Sequence, residues 1–186
     1  MLTTADEDIA ARARVMRLHG IDRDVFNRFS DTRASWMYDV IAPGFKYNLT
    51  DMAAALGRVQ LRRIDDFRAD RKARAARYDA ALADLPLILP NDAGPGDSHS
   101  WHLYIVQVAE GAPLDRNGLI EGLQAASIGT SVHYRPLHQM TYWKQQGDFP
   151  VADAYFERCV SIPLFMGMTD AEQDYVIETL RSLLAG

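Results

Sequence analysis

Two lone side chains have the types and settings for chemistry. Lys46 stands between Phe45 and the pair Tyr47-Asn48, one step ahead of what reads as a helix start. A lysine can be a solvated charge, an anion ligand or an amine that forms a Schiff base, and the residue alone leaves all three open. Its place just ahead of a helix N-terminus, where free backbone N–H groups and the dipole favour an anion, suits a phosphate ligand. His133 alternates with Val132 and Tyr134 and is followed by Arg135-Pro136-Leu137-His138, so its imidazole sits where a sheet gives way to a loop. A hydrogen-bonded structural histidine is the alternative there. His133 and His138 are five apart across a proline, not at the i, i+4 spacing of a helical zinc pair. No carboxylate or thiol accompanies them, so no metal site is expected. No GxSxG-like elbow occurs, which argues against a Ser/His/Asp hydrolase. His19, before Gly20, reads as a helix C-terminal residue.

The elements that must position these residues follow from the apolar pattern. Leu2 to Thr4 read as the end of a strand, and Asp6 to Leu18 as a helix with Ile9, Ala13 and Met16 near one face. A domain seldom opens on the end of a strand, so a preceding segment is expected. Residues 20–46 show little periodicity and end at the Pro43-Gly44 breaker, which reads as an ordered, functional loop. Thr50 offers an N-cap, Asp51 a first-turn negative charge, and Met52, Leu56 and Val59 begin an apolar face. One long helix is expected to run on through RRIDDFRADRKARAARYDAAL, with Ile64, Phe67, Tyr78 and Leu82 as its buried stripe and a wet, charged face.

A Pro/Gly/Asp-rich connector, PNDAGPGDS, separates this part from SWHLYIVQV, an aromatic and β-branched run expected to form a buried strand. Asp115 can cap a helix reaching Ser127, with Leu119, Ile120 and Leu123 inward; IGTSVHY then reads as a returning strand. CVSIPLF reads as another strand, and Thr169-Asp-Ala-Glu172 as a capping box for a helix carrying Val176, Ile177, Leu180 and Leu184. The second part is therefore expected to be an α+β layer of a small sheet and helices.

Composition narrows the function. A net charge of -5 argues against nucleic acid as the main partner, because a phosphate-backbone surface needs a basic excess. Cys159 is the only cysteine, so no internal disulfide forms and a CxxC metal site is excluded. No stretch reaches the roughly 18 apolar residues of a membrane span, and the N-terminus lacks the order of a signal peptide. A cytoplasmic protein is expected.

Several motifs then fall in a fixed order: LTT, an Arg-rich helix ending RLHGI, a loop with WMYDV, PGFKYNLTDMAAALG, the QLRRID helix, SWHLYIV, IGTSVHY followed by PLH, and IPLFMGMTD. Together they resemble the DegT/StrS family of nucleotide-sugar aminotransferases over the whole chain. PGFKYNLTD is especially similar to the branch that aminates UDP-4-keto sugars such as UDP-4-keto-arabinose. The resemblance implies a fold-type I enzyme dependent on pyridoxal phosphate, α/β plus α+β, and a homodimer with active sites shared between subunits. It implies that residues 1–86 are the end of the large domain, with an interface loop and a long linking helix, and that 87–186 are the complete small C-terminal domain.

In the family the Schiff-base lysine lies upstream of the segment matching Met1-Leu2-Thr3-Thr4, as do the residues that stack on the pyridine ring and pair with its nitrogen. By this resemblance the chain is the C-terminal half of such an enzyme and holds no Schiff-base lysine. Lys46 and Asn48 match the pair that reaches the neighbouring subunit's cofactor phosphate, the rest of the cofactor site coming from upstream residues or a partner chain. His133 matches a histidine lining the substrate pocket, with Tyr134 and His138 beside it, and Arg33, Trp36 and Tyr38 border the nucleotide-sugar site. The implied reaction moves an amino group, usually from glutamate, to a keto nucleotide sugar at C4, in polysaccharide or lipopolysaccharide sugar biosynthesis. A non-catalytic dimerisation or nucleotide-sugar-binding module, and part of a related sugar dehydratase, are the alternatives.

Overall fold

The computed structural model describes residues 2–22, 38–144 and 147–185. Contacts divide the chain into two units, Met1–Arg62 and Arg63–Gly186.

In the first unit, helix α1 (Glu7–Met16) starts at Asp6, whose carboxylate accepts from the N–H groups of Asp8 and Ile9 at 2.9 and 3.0 Å. Glu7 and Asp8 add the first-turn negative charge that the dipole favours. The strand end expected at Leu2 to Thr4 is not found among the described residues; instead the Thr4 hydroxyl accepts from the Asp6 N–H at 3.1 Å and leads into the cap. Past α1, His19 and Gly20 take positive φ angles of 59° and 72° and turn the chain. The turned segment then meets residues 40–47 through single bridges, Leu18 with Lys46 and Ile21 with Val40. Two glycines permit the crossing. A Cβ on Gly20 would lie 1.8 Å from the Ala42 carbonyl oxygen, and one on Gly44 2.0 Å from the Gly20 nitrogen. Helix α2 (Asp51–Arg62) begins as expected at Thr50, whose hydroxyl accepts from the Ala53 N–H at 3.3 Å. Met52, Leu56 and Val59 share one face of α2, and all three are exposed in this chain.

The expected single long helix is interrupted at Arg63 (φ -100°, ψ 0°), where α3 (Ile64–Leu82) begins. The charges explain the break: Arg62 and Arg63 suit a helix C-terminus, Asp65 and Asp66 an N-terminus. Only the second half of the expected stripe is buried. Ala75, Tyr78 and Leu82 enter the core, whereas Ile64 is exposed and Phe67 is half-buried under the Arg63 guanidinium.

Within the second unit, β1 (Leu87–Ile88), β2 (Tyr104–Val108) and β3 (Cys159–Ile162) form an antiparallel sheet in the order β1-β2-β3. Tyr104 pairs with Ile162 and Gln107 with Cys159. β2 alternates, with Tyr104, Val106 and Val108 buried, while all four residues of β3 are buried. Helix α4 (Arg116–Ala125) starts at Asp115, which accepts from the Gly118 N–H at 2.8 Å, and buries Leu119 and Leu123. Helix α6 (Asp170–Leu184) carries the expected capping box between Thr169 and Glu172 and buries Val176, Ile177, Leu180 and Leu184. These side chains, with Trp101, Ile128 and Met168, make one core; each buried Leu or Ile contributes about 1.5–3 kcal/mol.

Two elements depart from the sequence reading. IGTSVHY forms no strand; it makes a single bridge, Ser131 with Ser161. β3 ends at Ile162 before Pro163, which has no N–H to extend that ladder. A nine-residue helix, α5 (Pro150–Arg158), precedes β3 and was not expected. By contacts α3 belongs with the second unit, whereas the sequence division at 86/87 joins it to the first. Tyr78 accounts for the difference, packing against Tyr104 and donating to the Pro163 carbonyl at 2.8 Å.

Candidate functional site

Lys46 lies on an extended strip held by main-chain bonds to the end of α1. The Phe45 N–H donates to Met16 O at 2.7 Å, the Tyr47 N–H to Arg17 O at 2.8 Å, and the His19 N–H to Phe45 O at 2.9 Å. Side chains of an extended strip alternate in direction. The rings of Phe45 and Tyr47 stack on one side with centroids 5.0 Å apart, which leaves Lys46 and Asn48 to the other. Both are exposed, and neither has a side-chain partner among the described residues. Thr50 and α2 follow at once. An ammonium and a carboxamide on alternate residues ahead of a helix N-terminus supply the charge and donors that a phosphate dianion requires.

In the second unit, His133 and His138 are both half-buried and both paired. His133 Nδ1 lies 2.7 Å from Ser161 Oγ on β3. His138 Nε2 lies 2.8 Å from Asp153 Oδ1 on α5, and the Gln139 amide donates to the same oxygen. A carboxylate only accepts, so His138 carries its proton on Nε2 and, when neutral, offers Nδ1 as an acceptor. The Gln139 amide, and after it His138, hold the Asp153 carboxyl below the usual carboxylate range. The Phe149 ring packs on His138 at 4.9 Å, and the Tyr134 ring meets His133 edge-on at 4.7 Å. Tyr134, Pro136, Phe149, Pro150, Val151 and Tyr155 line an open apolar depression of about 640 Å³ beside these histidines.

Tyr134, 75% exposed, thus edges this depression, and Tyr38 of the first unit is half exposed. Arg33 and Trp36 lie outside the described residues. Among the described residues no group of His, Cys, Asp and Glu could hold a metal ion, and no helix is long and apolar enough to cross a membrane. Sequence reasoning missed Ser161, Gln139 and Asp153. The signal for Asp153 was Pro150, a residue suited to the first position of a helix.

Residues 1–181 match the DegT/DnrJ/EryC1/StrS aminotransferase family. The chain belongs to that family. One relative is the spore coat polysaccharide biosynthesis protein SpsC of Bacillus subtilis (strain 168), 40% identical over 193 residues that cover 100% of this chain and 49% of SpsC. Among solved structures, the sugar aminotransferase Spr1654 of Streptococcus pneumoniae in its PMP form superposes with a TM-score of 0.85 at 34% identity. That match covers 97% of this chain and 46% of Spr1654. The aminotransferase TlmJ of Streptoalloteichus hindustanus gives 0.83 at 28% identity, covering 97% of this chain and 46% of TlmJ. The chain spans about half the length of the relatives it matches, and its fold is that part of the fold-type I pyridoxal-phosphate aminotransferases.

Proposed function

We propose that this chain forms part of a pyridoxal-phosphate-dependent aminotransferase that moves an amino group, from glutamate, to C4 of a keto nucleotide sugar. The product serves cell-surface polysaccharide synthesis, and the assembly is a cytoplasmic homodimer with shared sites. The family match over residues 1–181 carries this reading. The cofactor, when bound, supplies the electron sink that makes the donor carbon acidic. Lys46 would neutralise the phosphate of the neighbouring subunit's cofactor and Asn48 would donate to it, their backbone held by the main-chain bonds to the end of α1. His133, Tyr134 and His138 orient the sugar, with Arg33, Trp36 and Tyr38 bordering the nucleotide. Residues 1–86 end the large domain, with α3 as the helix that links it to the small domain of residues 87–186, on whose core α3 packs.

The covalent step needs a lysine, and the chain has three. Lys46 is assigned to the phosphate, and Lys72 and Lys144 are exposed on α3 and after a short 3-10 turn. These 186 residues alone are therefore proposed to be inactive. A non-catalytic nucleotide-sugar-binding module is the second reading, favoured by the self-contained core of the second unit.

Incubation of the chain with pyridoxal phosphate and borohydride, followed by peptide mass spectrometry, is expected to leave no stoichiometric lysine adduct; a single adduct at Lys46 overturns the assignment. Co-expression with the N-terminal half of SpsC tests the phosphate role. There Lys46→Ala is expected to weaken cofactor retention at least about tenfold, as loss of a charged hydrogen bond does. Unchanged retention removes Lys46 from the site.

A further inference from the structure

Ser161 is 5% exposed at the middle of β3, paired with Ile105 on one side and Ser131 on the other. The bridge exchanges two main-chain bonds, Ser131 N–H to Ser161 O at 3.2 Å and Ser161 N–H to Ser131 O at 2.8 Å. His133, two residues past Ser131, is the diagonal cross-strand neighbour of Ser161, within reach of its side chain. The contact is Oγ to Nδ1 at 2.7 Å, and the hydroxyl has no other partner among the described residues.

The proton on this contact follows from a count of donors. A serine hydroxyl has one hydrogen to give, whereas a neutral imidazole has one donor nitrogen and one acceptor. If Nδ1 held the ring proton, Ser161 Oγ would accept it and its own hydrogen would stay buried without an acceptor, an arrangement native structures avoid. If Ser161 donates to Nδ1, both groups are satisfied. The ring proton then sits on Nε2, the nitrogen without a partner among the described residues.

We propose that Ser161 is a positioning residue that fixes His133 as the Nε2–H tautomer, so that the ring meets its ligand as a hydrogen-bond donor. An acceptor oxygen, a keto or phosphate oxygen rather than a hydroxyl hydrogen, is what His133 then selects. His138 is set the opposite way, with its proton held by Asp153 and its Nδ1 left to accept. Together the two rings present one donor and one acceptor. The selection rests on the reading of His133 as a pocket residue, whereas the tautomer itself does not.

The test is a long-range proton–nitrogen correlation spectrum of the imidazoles in the 15N-labelled full chain, at a pH where the rings are neutral and with no ligand added. His133 is expected as the Nε2–H form alone. Ser161→Ala is expected to release it to the mixed tautomers of free imidazole, and Ser161→Thr, which keeps the hydroxyl, to restore the single form. A wild-type His133 protonated on Nδ1 overturns the proposal without any variant, as does an unchanged tautomer in Ser161→Ala. Because neither substrate nor cofactor is present, that failure leaves the pocket reading untouched. Failure of the co-expressed assembly to transaminate leaves the tautomer standing.

Discussion

Gly44→Ala should detach the Lys46 strip while leaving the second unit intact. The new Cβ would lie 2.0 Å from the Gly20 nitrogen and 2.5 Å from the His19 carbonyl carbon, well inside the 3.4–4 Å of ordinary contact. Both are backbone atoms, so no side chain can swing aside and the two segments must part. The bonds at stake are Phe45 N–H to Met16 O, Tyr47 N–H to Arg17 O and His19 N–H to Phe45 O. At about 0.5–1.5 kcal/mol net for each bond, losing all three costs roughly 1.5–4.5 kcal/mol of local stability. That corresponds to faster opening of the strip by on the order of ten- to a thousand-fold. Hydrogen–deuterium exchange read on a peptide spanning residues 42–49, which retains the Phe45 and Tyr47 amides, measures it directly. Gly57→Ala is the control, since nothing lies within 4 Å of its Cβ and it sits inside α2; it should gain up to about 1 kcal/mol from helix propensity. Unchanged exchange at Phe45 and Tyr47 in Gly44→Ala, or equal acceleration in Gly57→Ala, would refute the close-crossing argument.

Thr169→Ala removes the hydroxyl that accepts the Glu172 N–H at 3.2 Å and should lower stability by about 1 kcal/mol in urea denaturation, with Thr169→Ser near wild type. Acid unfolding has a definite sign. Asp170, hydrogen-bonded by Arg74, Asp84, hydrogen-bonded by Arg181, and Asp153, held by Gln139 and His138, all titrate below the usual range. Their contribution is complete above about pH 4 and disappears as pH falls from there through the lower folded-state values. Asp170→Asn should flatten that acid limb, and a stability curve as steep as wild type counts against the pairing. Burial pushes the Cys159 thiol up, so iodoacetamide at neutral pH should spare it in the native chain and modify one equivalent in urea; rapid native labelling would contradict its burial.

What could be read from the sequence was local chemistry. Thr50, Asp115 and the Thr169–Glu172 box announce their helices because a cap is satisfied within three residues. The aromatic and β-branched run likewise pointed to β2, and the apolar residues after the capping box to the inward face of α6. Helix α5 escaped the sequence reading although Pro150 suits a first helical position; its apolar residues, Val151 and Tyr155 among them, line an open depression and none of its residues is buried. IGTSVHY has the composition of a strand, but only Ser131 pairs with β3; Pro163 lacks the N–H that would bond opposite Gly129, so the ladder cannot extend toward Ile128. The same limit governs the site. Lys46 and His133 stand out by type and setting, whereas Ser161 and Asp153 matter through contacts spanning 28 and 15 residues of sequence. Only the folded sheet and α5 bring those pairs together.

Ser161 grips the segment ahead of the PLH turn three times, twice by main chain and once by side chain. All three bonds converge on one residue of a buried strand, so the position of the Ser131–His133 segment is referred to β3: any displacement of Ser161 carries the bridge and the ring contact with it. His133 is thereby placed by the buried strand β3, whereas Tyr134 and Arg135, which follow it, are exposed.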